Sequence, residues 1–203
     1  MAAIKRIGIY GVGGHGKVVA QIARASGYSD IVWIDDAAGN GVFSFERFLQ
    51  AYPETPVALG IGSNAARQRI AEKIEASGTV LLTVVHPNAS IAPDAVIGAG
   101  TVVMPMAVVN AEARIGKGVI VNSAAVIEHD CVLGDFVHIS PNAALAGTVS
   151  VGKRSHIGIG SSVIQGIAIG EDCVVGAGAA VVSSLPDGVM AAGVPAVIKK
   201  ELF

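Results

Sequence analysis

VNAEARIGKGVIVNSAAVIEHDCVLGDFVHISPNAALAGTVSV, residues 109–151, places a branched aliphatic at every sixth position: Val109, Ile115, Val121, Ile127, Leu133, Ile139, Leu145 and Val151. Extended outward, the same register runs from Ile91 to Val181 without a slip, sixteen positions in all. The residue two before each is usually small, as at Ala113, Ala125, Cys131, Ala143 and Ser155. A second period rides on the first, with Gly98, Gly116, Gly134, Gly152 and Gly170 recurring once in every three hexads.

A period of six matches neither the 3.6 of a helix nor the 2 of a half-buried strand. It matches a coil of three short strands, each aiming its aliphatic inward. Such a coil cannot bury its apolar face alone, so coils stack along an axis around one continuous core. The stretch from Asn88 to Ser184 holds a little over five such three-hexad coils. The recurring glycine is expected at a corner whose backbone angle favours a residue without Cβ. The period itself carries no handedness.

Composition sets the outer bounds. The chain has 203 residues, few aromatics and a formal net charge of −2, with no basic run, which argues against a nucleic-acid surface. The charge-free run Ala95 to Ala111 follows the hexad period and reads as core rather than a membrane span. Met1 to Arg6 is too short for a signal peptide, so a cytoplasmic location is expected. The two cysteines, Cys131 and Cys173, fall on different faces and read as buried free thiols.

Before the repeat, apolar runs at 7–10, 31–34, 57–61 and 79–85 alternate with helical stretches at 17–26, 43–51 and 65–76. Ser63 or Asn64 caps the last helix and Gly78 stops it. This alternation predicts a small four-stranded parallel α/β domain over residues 1–86, joined directly to a second domain over 87–203. The segment after Pro186 is expected to cover the last coil.

Three groups of residues could carry chemistry. Gly11, Gly13 and Gly16 satisfy G-x-G-x-x-G between a strand and a helix, with Gly14 and His15 inside the loop and Asp35 and Asp36 ending the second strand. Bare N–H groups at a helix start attract a phosphate or diphosphate. A nucleotide sugar, NAD and a purely structural turn all fit this pattern. His15 is either packed or hydrogen-bonds a ligand. The second group, Glu128-His129-Asp130, follows an inward aliphatic at a coil corner. It is either a solvated surface cluster or a general base whose ring a carboxylate orients. The third is His138 and His156, three hexads apart and so stacked on neighbouring coils. Ile120 and Val174 continue their column, so no third metal ligand lines up, and no metal is expected.

A short nucleotide-fold domain with a Gly-Gly-His-Gly loop, followed by hexads bearing Asn122 and Ile-Glu-His-Asp, resembles one group of hexapeptide-repeat acyltransferases. These are the bacterial nucleotide-amino-sugar N-acetyltransferases of the bacillosamine type and the related sialic-acid-pathway O-acetyltransferases. The resemblance covers essentially the whole chain. It implies a Rossmann-like α/β domain followed by a left-handed parallel β-helix, and acetyl-CoA as co-substrate. It places the general base on His129, oriented by Asp130. It places the nucleotide sugar on Gly13, Gly14, His15, Asp35 and Asp36, with Asn122 also at the substrate, and the acetyl-CoA near His138 and Gly147. It further implies a homotrimer with shared active sites. O-acetylation, an NAD-linked oxidoreductase and a non-enzymatic scaffold are the competing readings.

Overall fold

The computed structural model describes residues 5–37, 39 and 41–203. The chain opens with β1 (Arg6–Tyr10), α1 (Gly14–Ala25), β2 (Asp30–Ile34), α2 (Phe45–Ala51), β3 (Val57–Leu59) and α3 (Asn64–Ala76). The three strands form a parallel sheet in the order β2-β1-β3. Val19, Ala20, Ile22 and Ala23 make the buried stripe of α1. Ser63 caps α3 by accepting from the Ala66 N–H, and Gly78 follows the helix at φ +76.

The sheet has three strands where the sequence suggested four. Leu81 makes one bridge to Val57, and the rest of that segment leaves the domain. β4 (Val84–Val85) pairs instead with a coil strand at Val102–Val103. The hexads explain the difference: Val85 lies six positions before Ile91, so the register starts one step earlier than Ile91. The two residues of β4 serve two cores. Val85 packs on the interior of the coils, and Val84 packs against the α/β domain.

Sixteen two-residue strands follow, from β5 (Ser90–Ile91) to β20 (Ala180–Val181). The second residue of every one is a hexad aliphatic. They stack in parallel into three sheets of five, six and five strands, the first extended to eight by β4 and by the two strands that end the chain. Register steps by three hexads throughout, as in Ile120 opposite His138 and His138 opposite His156. The small residues at Ala107, Ala113, Ala125, Cys131 and Ala143 are fully buried beside the aliphatics and narrow the coil interior. Each buried Val, Leu or Ile contributes roughly 1.5–3 kcal/mol.

The once-per-coil glycines are needed for a different reason from the one expected. Gly98, Gly116, Gly134, Gly152 and Gly170 do not have positive φ. A Cβ at Gly98 would lie 2.6 Å from the carbonyl of Gly116, and one at Gly152 would lie 2.5 Å from the Glu171 nitrogen. Coil-to-coil stacking distance, not backbone angle, excludes a side chain there. The left-handed turn positions fall two residues later, at Gly100, Gly118, Phe136, Arg154 and Asp172.

β21 (Val189–Ala192) continues the eight-stranded face in parallel with Val174–Val175, and β22 (Val197–Glu201) pairs with it antiparallel. Val189 and Ala191 are buried in the coil core. The α/β domain sits on the other end of the same face. Ile7, Ile9, Val19 and Ala23 pack on the outward side chains of Val84, Val102 and Ile120. Among the described residues, no helix is long and apolar enough to cross a membrane.

Candidate active site

The corner after β11 (Val126–Ile127) carries Glu128, His129 and Asp130. Asp130 takes the left-handed position at φ +60, which a short polar side chain tolerates better than a branched one. Its Oδ2 lies 2.7 Å from His129 Nδ1, with both side chains more than half exposed. Glu128 points elsewhere, accepting from Asn110 Nδ2 at 2.9 Å. The pairing puts the ring proton on Nδ1 and leaves the Nε2 lone pair free.

The coil above holds Gly147. The Thr148 N–H donates to the His129 carbonyl at 2.9 Å, which sets the two coils in register. A Cβ at Gly147 would come within 2.5 Å of His129 Nε2 and Cε1. The free nitrogen therefore faces a position without a side chain. Cys131 is close in sequence but buried, and burial raises its pKa, so it is not poised as a thiolate.

A second group forms where the α/β domain stops covering the eight-stranded face. The outward column runs Val84, Val102 and Ile120 beneath the domain, then changes to His138 and His156. Their rings stack with centroids 4.6 Å apart. Asn122 Oδ1 accepts from the Ser123 N–H, which turns its Nδ2 toward His138 Nε2 at 3.0 Å. His138 then carries its proton on Nδ1, a buried atom with no partner. Burial, followed by His156, Arg67 and His15, holds His138 at about 3. His156 is likewise lowered by burial and by Arg67, and Ser140 Oγ lies 2.7 Å from its Nε2. Two stacked rings held neutral serve as hydrogen-bond groups rather than charges.

The glycine loop faces the same seam. Gly11 needs its φ of +110, and a Cβ at Gly16 would sit 2.0 Å from the Gly11 carbonyl oxygen. Gly13 and Gly14 have nothing within 4 Å of an added Cβ, so they border open space. Helix α1 begins at Gly14, earlier than the sequence suggested, with Gly13 as N-cap, no side-chain cap and no acid in its first turn. Its first N–H groups are thus available to an anion. His15 stands on that first turn, its Nε2 buried without a partner and its pKa lowered by burial and Arg67 to about 4.

The two acids after β2 part ways. Asp36 accepts from Phe45 N–H at 2.8 Å, from Tyr10 Oη and from Lys73 Nζ. Burial pushes it up, but these bonds outweigh burial and hold it at about 2. It anchors α2 and α3 to β1. Among the described residues Asp35 accepts only from Ala37 N–H; both acids line a cavity of about 470 Å³ with Gly39, Gly41, Ser44 and Arg47. A cleft of about 570 Å³ lies on the five-stranded face, lined by Val132, Asp135, Ser150, Lys153 and Glu171 among others.

Within one chain the site residues form two separate sets. His15, Asn122, His138 and His156 meet at the domain seam. His129, Asp130 and Gly147 lie at the corner between the six- and five-stranded faces, which in a three-sided coil is opposite the eight-stranded face. Sequence reasoning missed Arg67, fully buried at the seam. Its signal was available, since Arg67 shares the buried stripe of α3 with Ala71 and Ile74 at helical spacing. Among the described residues no cluster of three or more His, Cys, Asp or Glu is arranged to hold a metal ion.

Residues 6–74 match the family described as the PglD N-terminal domain. The chain is 39% identical over 112 residues to the UDP-N-acetylbacillosamine N-acetyltransferase of Bacillus subtilis (strain 168), a match spanning 48% of this chain and half of that protein. Two solved structures match nearly end to end. The acetyltransferase domain of PglB from Neisseria gonorrhoeae FA1090, in complex with acetyl coenzyme A, is 41% identical with a TM-score of 0.90, covering 97% of this chain and 100% of that one. PerB from Caulobacter crescentus, in complex with CoA and GDP-perosamine, is 41% identical with a TM-score of 0.91, covering 98% and 99%. The fold agrees along nearly the whole length, an α/β domain leading into a left-handed parallel β-helix, and the chain belongs to the hexapeptide-repeat family of nucleotide-amino-sugar N-acetyltransferases.

Proposed function

We propose that the protein moves the acetyl group of acetyl-CoA onto the amino group of a nucleotide-linked amino sugar. The observation that carries the reading is the oriented His129–Asp130 pair beneath the vacant side-chain position of Gly147. As the sugar amine attacks the thioester carbonyl, His129 Nε2 takes the amine proton. The carbon–sulfur bond then breaks, and the CoA sulfur leaves with the proton returned by the imidazolium. A backbone N–H steadies the developing oxyanion. No acyl-enzyme is required, because no Ser or Cys sits beside the base. The glycine loop, His15 and Asp35 hold the nucleotide. A cytoplasmic location goes with this reading, since acetyl-CoA is an intracellular thioester.

The test is thiol release from acetyl-CoA against a panel of UDP-, GDP- and CMP-linked amino sugars. At least one donor–acceptor pair turns over. Silence across the panel, with thermal stabilisation by NAD and none by acetyl-CoA, would overturn the assignment in favour of an oxidoreductase.

Two further results are expected. Gly13→Leu fills the open space at the start of α1, so it raises KM for the nucleotide sugar and spares KM for acetyl-CoA. A fall in coenzyme affinity instead would mean the two subsites are wrongly apportioned. The protein also runs as a homotrimer, because the corner bearing His129 needs the seam face of a second copy to complete the site. Full activity at a hydrodynamic mass of one chain would sink both the trimer and the shared site.

A further inference from the structure

Arg67 is the charged side chain with the least solvent exposure, 0%, and it spans the two domains. From α3 its Nε donates to the Gly118 carbonyl at 2.6 Å. One terminal nitrogen donates to the Gly62 and Ile61 carbonyls at 2.9 and 3.3 Å. The other donates to Asn64 Oδ1 at 2.9 Å and to the Phe136 and Val137 carbonyls at 2.8 and 3.4 Å. Every acceptor is a neutral oxygen. Among the described residues no carboxylate is paired with it, so its charge is buried without a counter-charge. Buried charges are ordinarily paired, because an isolated one is costly to desolvate.

What Arg67 ties together is specific. Ile61 and Gly62 continue from Gly60, whose backbone packs on Gly11 and Gly16 of the glycine loop. Gly62 also lies against His15. Val137 immediately precedes His138. One guanidinium thus fixes the loop on the α/β domain against the strand that presents His138. The same charge adds to the positive end of α1 and reaches His15, His138 and His156. The acids at the seam are engaged by other cations, Glu75 of α3 by Lys117 and Asp172 by Arg154, so none of them is the counter-charge of Arg67.

We propose that Arg67 is a positioning residue of this site: it registers the glycine loop against the His138 strand, and the diphosphate of a bound nucleotide supplies the counter-charge it lacks. This rests on the function proposed above only in naming the nucleotide, and the test needs no turnover.

Calorimetry would measure UDP, GDP and acetyl-CoA binding to the full-length wild type, Arg67→Lys and Arg67→Met, with histidine titrations followed by NMR. Loss of one uncompensated charge near a diphosphate weakens nucleotide binding by about tenfold or more. In Arg67→Met the better-bound diphosphate loses at least that factor, acetyl-CoA binding is unchanged, and His15 and His138 titrate higher. Arg67→Lys, which keeps the charge and loses the carbonyl net, recovers part of the affinity. Unchanged nucleotide binding in Arg67→Met, or equal losses for nucleotide and acetyl-CoA with no recovery by lysine, overturns the proposal. If the methionine variant does not fold, Arg67→Lys decides: weaker nucleotide binding with intact acetyl-CoA binding supports it, and parallel behaviour of the two ligands refutes it. Failure of the acetyl-transfer reading is separate, appearing as a wild type that binds a diphosphate but releases no thiol.

Discussion

His129→Ala lowers kcat by about 10²–10⁴, the usual contribution of a positioned general base, and leaves KM for both substrates nearly unchanged. The ring is held at Nδ1 by Asp130 and makes no bond that supports the coils, so the variant keeps its fold. The two neighbouring acids then separate cleanly. Asp130→Asn reduces turnover, because it loses the carboxylate that selects the Nδ1–H tautomer. Glu128→Gln has the smaller effect, because Glu128 is bonded to Asn110. Wild-type turnover in His129→Ala would remove the base assignment, and a reversed ranking of the acids would identify Glu128 as the orienting group. Steady-state kinetics on the nucleotide sugar identified by the panel settle both points.

Gly147→Val is expected to have the second largest effect, on kcat and on acetyl-CoA binding together. Gly147 is not at positive φ, so valine meets no backbone penalty there. Its Cβ would arrive 2.5 Å from His129 Nε2. The exposed ring gives way by rotating, which breaks its bond to Asp130, and the branched side chain occupies the gap proposed for the thioester. The fold survives, since the position lies outside the coil core. Ala111→Val, one coil below His129, fills an equivalent distance on the side away from the gap and is the milder control. Normal acetyl-CoA binding and turnover in Gly147→Val would show that the space above His129 is not where the thioester lies.

The hexads from Ile91 to Val181 determined the coil, its three faces and the vertical neighbours within it. A coil of three equal hexads converts sequence separation directly into stacking, which is why His156 over His138 could be placed by arithmetic. The glycine loop was legible for a similar reason, since a turn from strand to helix is a local event. What the sequence left open are contacts between elements far apart in the chain. Whether Val84–Val85 joins the small sheet or the coils depends on which neighbour offers a paired edge, and the coil strand at Val102–Val103 does. Asp35 and Asp36 are adjacent and alike, yet only packing of α2 and α3 around β1 brings Lys73 and Tyr10 to Asp36 and not to Asp35. The role of Arg67 depends on carbonyls at Gly118, Phe136 and Val137, backbone groups that every residue possesses and that no residue identity announces. Only the docking of the α/β domain on the eight-stranded face decides which of those carbonyls turn toward a buried charge.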